Sequence, residues 1–255
     1  MKKKSLAIAL RAHDFSNSSQ VVSFFTRERG AVDVIVKGAY RPRNAFQGPI
    51  DVAVLREVVF IERHGGSGLG ILAESQVVDG WRGLRRTFRR HVAATHIIGF
   101  LRAVVVGGEP AHELFDLAWA ALDDLSRGSE DEVGDTVLWF ELRALRVLGF
   151  LSPIDACVRC RRPWPGRQRG AWFSPRDGGL LCSACRRADR HEPRIASLAG
   201  PVIDQLSRWA ESPRRAGLEP FAPPVSRELH HLLLDGSTFF LERRIETFKY
   251  SAAWT

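Results

Sequence analysis

The 255-residue sequence contains no run of about 18 consecutive apolar residues, so nothing in it reads as a membrane-spanning helix. It is poor in acid and poorer in lysine. Against 37 Lys and Arg stand 29 Asp and Glu, giving a net charge of +8 and a pI near 9.9, and 32 of the 37 cations are arginine. The arginine excess is read chiefly as genome base composition, although guanidinium groups also suit phosphate because they pair with it bidentately. No Walker A sequence and no G-x-S-x-G are present, and the glycines between 65 and 70 sit between two strand-like runs without completing G-x-G-x-x-G. His191-Glu192 opens like a metalloprotease helix, but Pro193 follows and Ile195 stands where the second histidine belongs. The deaminase signature also fails, for no His-x-Glu precedes the cysteines in the right place. These absences exclude the common nucleotide-hydrolysing, acyl-transfer and zinc-hydrolytic chemistries and predict a non-catalytic protein. Met1-Lys2-Lys3-Lys4 followed by Ser5–Leu10 resembles a signal peptide only briefly, because Arg11, His13 and Asp14 interrupt it. A first β-strand and a cytoplasmic location are the expectation.

What is present is ordinary for a folded chain: 45% hydrophobic and 26% charged residues. The positive excess points to an anionic partner. Over residues 1–80, Leu6–Leu10, Val21–Phe25, Val32–Val36, Val52–Ile61 and Leu69–Ala73 are short runs rich in branched and aromatic side chains, separated by turn signals. Five strands in that length fit a small OB-fold barrel, and spacing alone equally permits an SH3-like one. From Trp81 the period becomes helical. Leu84, Phe88, Val92, Ile98, Leu101 and Val105 predict one long helix ending at Gly107-Gly108. Leu114, Leu117, Ala121 and Leu125 predict a second helix, and Val133, Val137, Phe140, Ala144 and Leu148 a third. Residues 151–194 lose the period and are rich in Pro, Gly, Arg and Cys. Helical patterning resumes over 195–210 and 225–250, with a break at Gly236. The expected fold class is thus α+β: a barrel over 1–80, then a helical domain over 81–255 interrupted by a cysteine segment at about 154–190.

Cys157-Val158-Arg159-Cys160 and Cys182-Ser183-Ala184-Cys185 give C-x2-C-x21-C-x2-C. Each pair closes a knuckle presenting two thiolates to one tetrahedral ion, and a reducing compartment disfavours the disulfide alternative. One structural zinc ion, held by Cys157, Cys160, Cys182 and Cys185, is expected. Phe173 and the Gly178-Gly179 turn suggest the second hairpin of a zinc ribbon. Four cysteines leave no open coordination position, which argues against a catalytic ion.

Three basic clusters accompany it. Lys37, Arg41 and Arg43 flank Tyr40 at the end of a strand, the combination of cations and ring that single-strand-binding barrels use. Arg82, Arg85, Arg86, Arg89 and Arg90 follow helical spacing opposite Leu84 and Phe88, which predicts one positive helix face. Arg159, Arg161, Arg162, Arg167, Arg169, Arg186 and Arg187 surround the cysteines.

Phe24-Phe25-Thr26-Arg27-Glu28-Arg29-Gly30 with Val34–Arg41, Trp139–Phe150 with Pro153 and the first cysteine pair, and Phe240-Leu241-x-x-Arg244 with Phe248–Ser251 stand in that order along the chain. Through these blocks the sequence resembles the RecO family of bacterial recombination mediators over nearly its whole length. Tyr40 stands where members often carry arginine, and some members lack the cysteines. The resemblance implies an N-terminal OB-fold, a C-terminal helical domain with a zinc ribbon, and binding of single- and double-stranded DNA through a basic loop matching Lys37 and Arg41. It also implies annealing of complementary strands, and loading of recombinase with RecR onto strands covered by single-strand-binding protein (SSB), whose acidic C-terminal tail such proteins recognise. The alternative is a zinc-stabilised basic adaptor that does not read DNA directly.

Overall fold

The first five strands are β1 (Lys2–Ser16), β2 (Ser19–Thr26), β3 (Gly30–Val36), β4 (Leu55–Ile61) and β5 (Gly70–Asp79), and they close into a barrel in the order β1-β2-β3-β5-β4. β1 pairs antiparallel with both β2 and β4, while β3 and β5 meet in a short parallel register at Val34–Gly70 and Ile35–Ile71. This is an OB-like barrel, one of the two small barrels that the spacing allowed. The computed structural model describes residues 2–61, 68–164, 170–188 and 195–241, together with Ala252 and Trp254. The glycine turn at 65–68 and the C-terminal stretch 242–250 therefore lie largely or wholly outside the described residues. By internal packing the chain falls into two units, Met1–Arg127 and Gly128–Thr255.

The barrel interior is filled by Ala7, Ala9, Val22, Phe24, Val34, Val36, Val58, Phe60 and Leu72, closed off by Ala39, Phe46 and Ile50 from the β3–β4 loop. Small residues on β1 face large ones on β2, as in the Ala9–Phe24 pair, so the narrow interior fills without overpacking. The other face of β1 and β2 is buried too: Ile8, Leu10 and Phe25 are covered, and Phe25 meets Phe115 edge-on at 5.3 Å. Burial on both faces is why Ala7–Leu10 reads as a continuous apolar run rather than an alternating one. The second half of β1, from Arg11, is exposed except for half-buried Ala12 and polar except for Ala12 and Phe15, so its strand character leaves little apolar signal.

The predicted single helix from Trp81 is broken. Arg82–Arg85 form a 3-10 turn, and α1 (Phe88–Val104) starts afresh at an extended Thr87 whose hydroxyl accepts the Arg90 N–H at 3.3 Å. The cause is tertiary. Gly83 is pressed against the end of α2 (His112–Arg127), so closely that a Cβ there would lie 1.9 Å from the Ser126 carbonyl oxygen. Trp81, at φ 38°, donates its indole N–H to Asp123 at 3.2 Å. The break removes Phe88 from the core: it is 70% exposed, whereas Leu84, Val92, Ile98 and Leu101 are buried as expected. All four predicted core positions of α2 are buried. The end of α1 is stitched to the barrel at Gly30, which bridges to Gly107. Its φ of +63° and the 2.1 Å separation of a would-be Cβ from the Val106 carbonyl admit only glycine.

The second unit contains α3 (Val133–Val147), β6 (Ala171–Ser174), β7 (Gly179–Leu181), α4 (Ser183–Ala188), β8 (Ala196–Leu198), α5 (Gly200–Glu211) and α6 (Pro223–Phe240). α3 is buried along most of its length and packs on α5 and α6. Its polar core group, Glu141, takes a 2.9 Å contact from His230, whose other ring nitrogen lies 3.2 Å from the Gly134 carbonyl. Two sequence expectations are corrected here. Residues 196–198 form a strand, β8, which pairs with β6 to give the sheet β7-β6-β8. A three-residue strand is too short to interrupt a helical pattern visibly. Gly236 does not break α6 but is buried within it, because the Pro175 backbone crosses there, 3.2 Å from a would-be Cβ.

Candidate metal centre and nucleic-acid surfaces

The cysteine pairs are brought together by β6, β7 and the turns on either side of them. The first knuckle is closed by the Arg161 N–H donating to the Cys157 carbonyl at 2.8 Å and the Cys157 N–H donating to the Arg162 carbonyl at 2.9 Å. It is fastened to β7 by the Val158 N–H donating to the Leu180 carbonyl at 2.8 Å. The second knuckle places Cys182 at the end of β7 and Cys185 in α4. All four Sγ atoms lie within 4.8 Å of one another, and Cys160 and Cys182 are 3.8 Å apart. A tetrahedral ion with metal–sulfur bonds of about 2.3 Å needs sulfur–sulfur edges of about 3.8 Å. The cluster fits such an ion and is far wider than a disulfide.

The thiols are not equivalent. Burial raises the Cys157 thiol, but N–H groups of Cys160, Cys182 and Arg159 outweigh it and pull the thiol down to about 6. Burial and the neighbouring thiols push Cys185 up to about 12. The backbone N–H groups around Cys157 favour its thiolate, the form in which a cysteine binds a metal ion. Around the centre Arg161, Arg162 and Arg187 are exposed, and Arg159 is committed to Asp177 at 2.7 Å. Arg167 and Arg169 lie outside the described residues.

On the barrel, Lys37, Arg41 and Arg43 are all exposed, and no acid pairs with them among the described residues. Their loop is ordered by three side chains, Asn44, Gln20 and Arg56. Asn44 donates to the carbonyls of Ala39 and Arg41, both at 2.9 Å, and accepts the N–H groups of Phe46 at 2.9 Å and Gly48 at 3.1 Å. Buried Gln20 holds the same loop from below, accepting the Ile50 N–H at 2.8 Å and donating to the Tyr40 hydroxyl at 3.1 Å. Buried Arg56 caps the far side, donating to the Phe46 carbonyl at 3.0 Å and to Ser75 at 2.9 Å. The Tyr40 hydroxyl donates to Asp14, and that bond raises the phenol above its ordinary value, so Tyr40 remains a donor at neutral pH.

The second predicted surface is divided by the helix break. Arg82, Arg85 and Arg86 are exposed on and after the 3-10 turn, with Arg85 reaching the carbonyls of Gly80 and Val52 at 3.2 and 3.3 Å. Arg89 is half-buried at the start of α1. Arg90 is buried and donates to the carbonyls of Leu125 and Ser126, both at 3.1 Å. The expected single face is therefore corrected to three exposed cations, one half-buried cation and one core arginine. No Asp or Glu stands between Asp79 and Glu109, so the segment keeps its positive field. Sequence reasoning missed Gln20 and Arg56, and gave Asn44 no role, because each acts across a long sequence separation or as an unremarkable polar residue in a loop.

No helix among the described residues is long and apolar enough to cross a membrane. Comparison with known families matches residues 1–81 to "Recombination protein O N terminal" and residues 85–247 to "Recombination protein O C terminal". A DNA repair protein RecO from Anaeromyxobacter dehalogenans is 34% identical over 246 residues, covering 96% of this chain and 92% of the relative. Another from Rhodopirellula baltica is 31% identical over 208 residues, covering 82% of this chain and 75% of its own length. An OB-like barrel precedes the helical elements in the chain, the two family matches fall in the same order, and the chain belongs to the RecO family of DNA repair proteins.

Proposed function

We propose that this protein is a non-catalytic recombination mediator of the cytoplasm, associated with the nucleoid. It binds single- and double-stranded DNA, anneals complementary strands, and works with RecR to load recombinase onto SSB-coated strands, meeting the SSB C-terminal tail as it does so. The functional division is a DNA-binding barrel over 1–80 and a helical part over 81–255. The ribbon at about 154–190 is stabilised by one zinc ion on Cys157, Cys160, Cys182 and Cys185.

The observation that carries this reading is the pre-ordered loop at 37–48: three exposed cations without acidic partners among the described residues, in a loop held on an OB-like barrel by Asn44, Gln20 and Arg56. Fixed cations release counterions from phosphates without first losing loop entropy. Arg82, Arg85 and Arg86, helped by Arg89, form a second face, and two faces on one body hold two strands at high effective concentration. Base pairing then supplies the driving force, since the sequence carries no nucleotide-hydrolysis motif. Arg90 contributes by holding α1 against α2.

The decisive experiment is annealing of SSB-coated complementary strands with and without RecR. Acceleration without ATP, lost when Arg85 and Arg86 are both changed to alanine while single-strand affinity largely survives, is the expected result. Loss of both activities in equal proportion refutes the two-face mechanism. DNA binding without salt dependence would favour the adaptor reading.

A further inference from the structure

Beside the basic loop the barrel carries an open depression of about 450 Å³, lined by Asp14, Phe15, Ser16, Asn17 and Tyr40. We propose that this depression seats an unpaired nucleobase, stacked on Phe15 and Tyr40, when single-stranded nucleic acid runs along the loop. The proposal rests on the DNA-binding reading above and names where a base, rather than a phosphate, is held.

Two exposed rings meet there for separate structural reasons. Phe15 is 61% exposed and sits in the register shift between Asp14 and Ser16 at the end of β1. Such irregularities re-aim a side chain, here into solvent. Tyr40, 44% exposed, is pinned by its hydroxyl between Asp14 and Gln20, and Gln20 is itself buried and bonded to the Ile50 N–H. The ring is therefore fixed before any ligand arrives, and stacking on it costs little side-chain entropy.

The surroundings select the ligand. The Tyr40 N–H donates to the Ser18 carbonyl at 3.3 Å, which ties the β1–β2 turn to the basic loop. Lys37 and Arg41 flank Tyr40 in sequence, and the Arg41 side chain lies across Gly38, 3.2 Å from where a Cβ would stand. The cations thus belong to the loop that carries Tyr40 and not to the lining itself, whose own charged group is the Asp14 carboxylate, which repels phosphate. A polymer with an anionic backbone and flat, uncharged, hydrogen-bonding side groups satisfies both halves. Asp14 and Asn17 offer polar atoms to a base edge, and the rings offer faces that any base can stack on. Paired bases are already stacked on one another, so the site discriminates for single strands.

The test measures binding of the full-length protein to a labelled mixed-sequence single strand, to the same strand carrying central abasic positions, and to its duplex, each across a salt series. Phe15→Ala is expected to weaken single-strand binding roughly 5- to 150-fold, the range for one stacked base. The salt slope and the duplex affinity should stay unchanged, because no cation is removed. Wild-type protein should lose a similar factor on the abasic strand, and Phe15→Ala should no longer distinguish the two strands. Phe15→Trp should restore binding. Unchanged single-strand affinity of Phe15→Ala, with the wild-type salt slope intact, overturns this inference and leaves the DNA-binding reading standing. Equal weakening on single strand and duplex also overturns it. Absence of salt-dependent DNA binding by the wild-type protein removes both.

Discussion

Replacing Asn44 by alanine separates the order of the basic loop from its charge. The side chain makes four hydrogen bonds, two given to the carbonyls of Ala39 and Arg41 and two taken from the N–H groups of Phe46 and Gly48. Each contributes about 0.5–1.5 kcal/mol net, and the exposed one to Arg41 recovers much of its share from water, so the loop loses about 2–3 kcal/mol of local order. The strands hold the fold together, although Asn44 also steadies Ala39 and Phe46 where they close the barrel, so a modest loss of global stability accompanies the change and is measured alongside. Binding must then supply the ordering, which weakens affinity by roughly 30- to 150-fold. Lys37, Arg41 and Arg43 remain, so the slope of log affinity against log salt should not move. Lys37→Ala with Arg41→Ala does the reverse: two phosphate contacts disappear and the slope falls by about one to two units on single strands. Anisotropy titrations of a labelled single strand at four or five salt concentrations distinguish the two cases. An Asn44→Ala variant that binds like wild type, or whose slope drops as far as that of the double variant, refutes the argument that pre-ordering matters.

Freshly purified, reduced protein should contain one zinc per chain by elemental analysis. Cys182→Ser should lower that content and open the segment around 157–185 to protease while the barrel's own unfolding transition is retained, because apo ribbons lack the apolar content to fold alone. Arg90→Ala should destabilise the protein by about 2–4 kcal/mol in thermal or urea unfolding, since it strips charged donors from two buried carbonyls. Arg86→Ala, at an exposed site, should leave stability unchanged and slow annealing. Acid should weaken the Met1–Arg127 unit through Asp116, whose hydrogen bond from Arg27 holds its carboxyl below the usual range. A depressed folded value means that the unfolded chain takes up the proton first. The stabilisation is therefore complete above about pH 4 and is lost as pH falls through the folded value. Asp116→Asn should flatten that part of the stability profile, as read by unfolding at stepped pH.

The cysteines were legible because their chemistry is local: two C-x2-C knuckles state the ligand set whatever the intervening loop does, and the four sulfurs do gather. The barrel strands were legible where they carry core residues, from Leu6 to Leu10 or Val32 to Val36. The outer half of β1 was not, because its side chains face water and its strand character comes from pairing with β2. The helix break at Arg86-Thr87 was hidden for a different reason. Leu84 and Phe88 have the right spacing for one helix face, and only the close approach of Gly83 to Ser126, 43 residues away, ends that face early. The same distance effect hid the loop's anchors. Gln20 acts on Ile50 across 30 residues, and its neighbours in sequence say nothing about that. Phe15 was passed over because an exposed aromatic at a strand end carries no periodic signal.

The two-sided burial of β1 and β2 bears on how this protein can be taken apart. Ile8, Leu10 and Phe25 are covered on the face turned away from the barrel interior, with Phe115 of α2 lying against Phe25. A fragment ending at Gly80 would carry a complete hydrogen-bonded barrel with an apolar patch newly open to solvent, and such patches drive self-association. It would also lose the Asp116 carboxylate that pairs with Arg27 at 2.9 Å. A fragment ending at Arg127 retains both, and keeps Trp81 with its Asp123 partner. Truncation at the barrel's last strand would then report aggregation where it was meant to report DNA affinity, while the longer piece keeps this face covered and carries both the loop at 37–48 and the depression beside it.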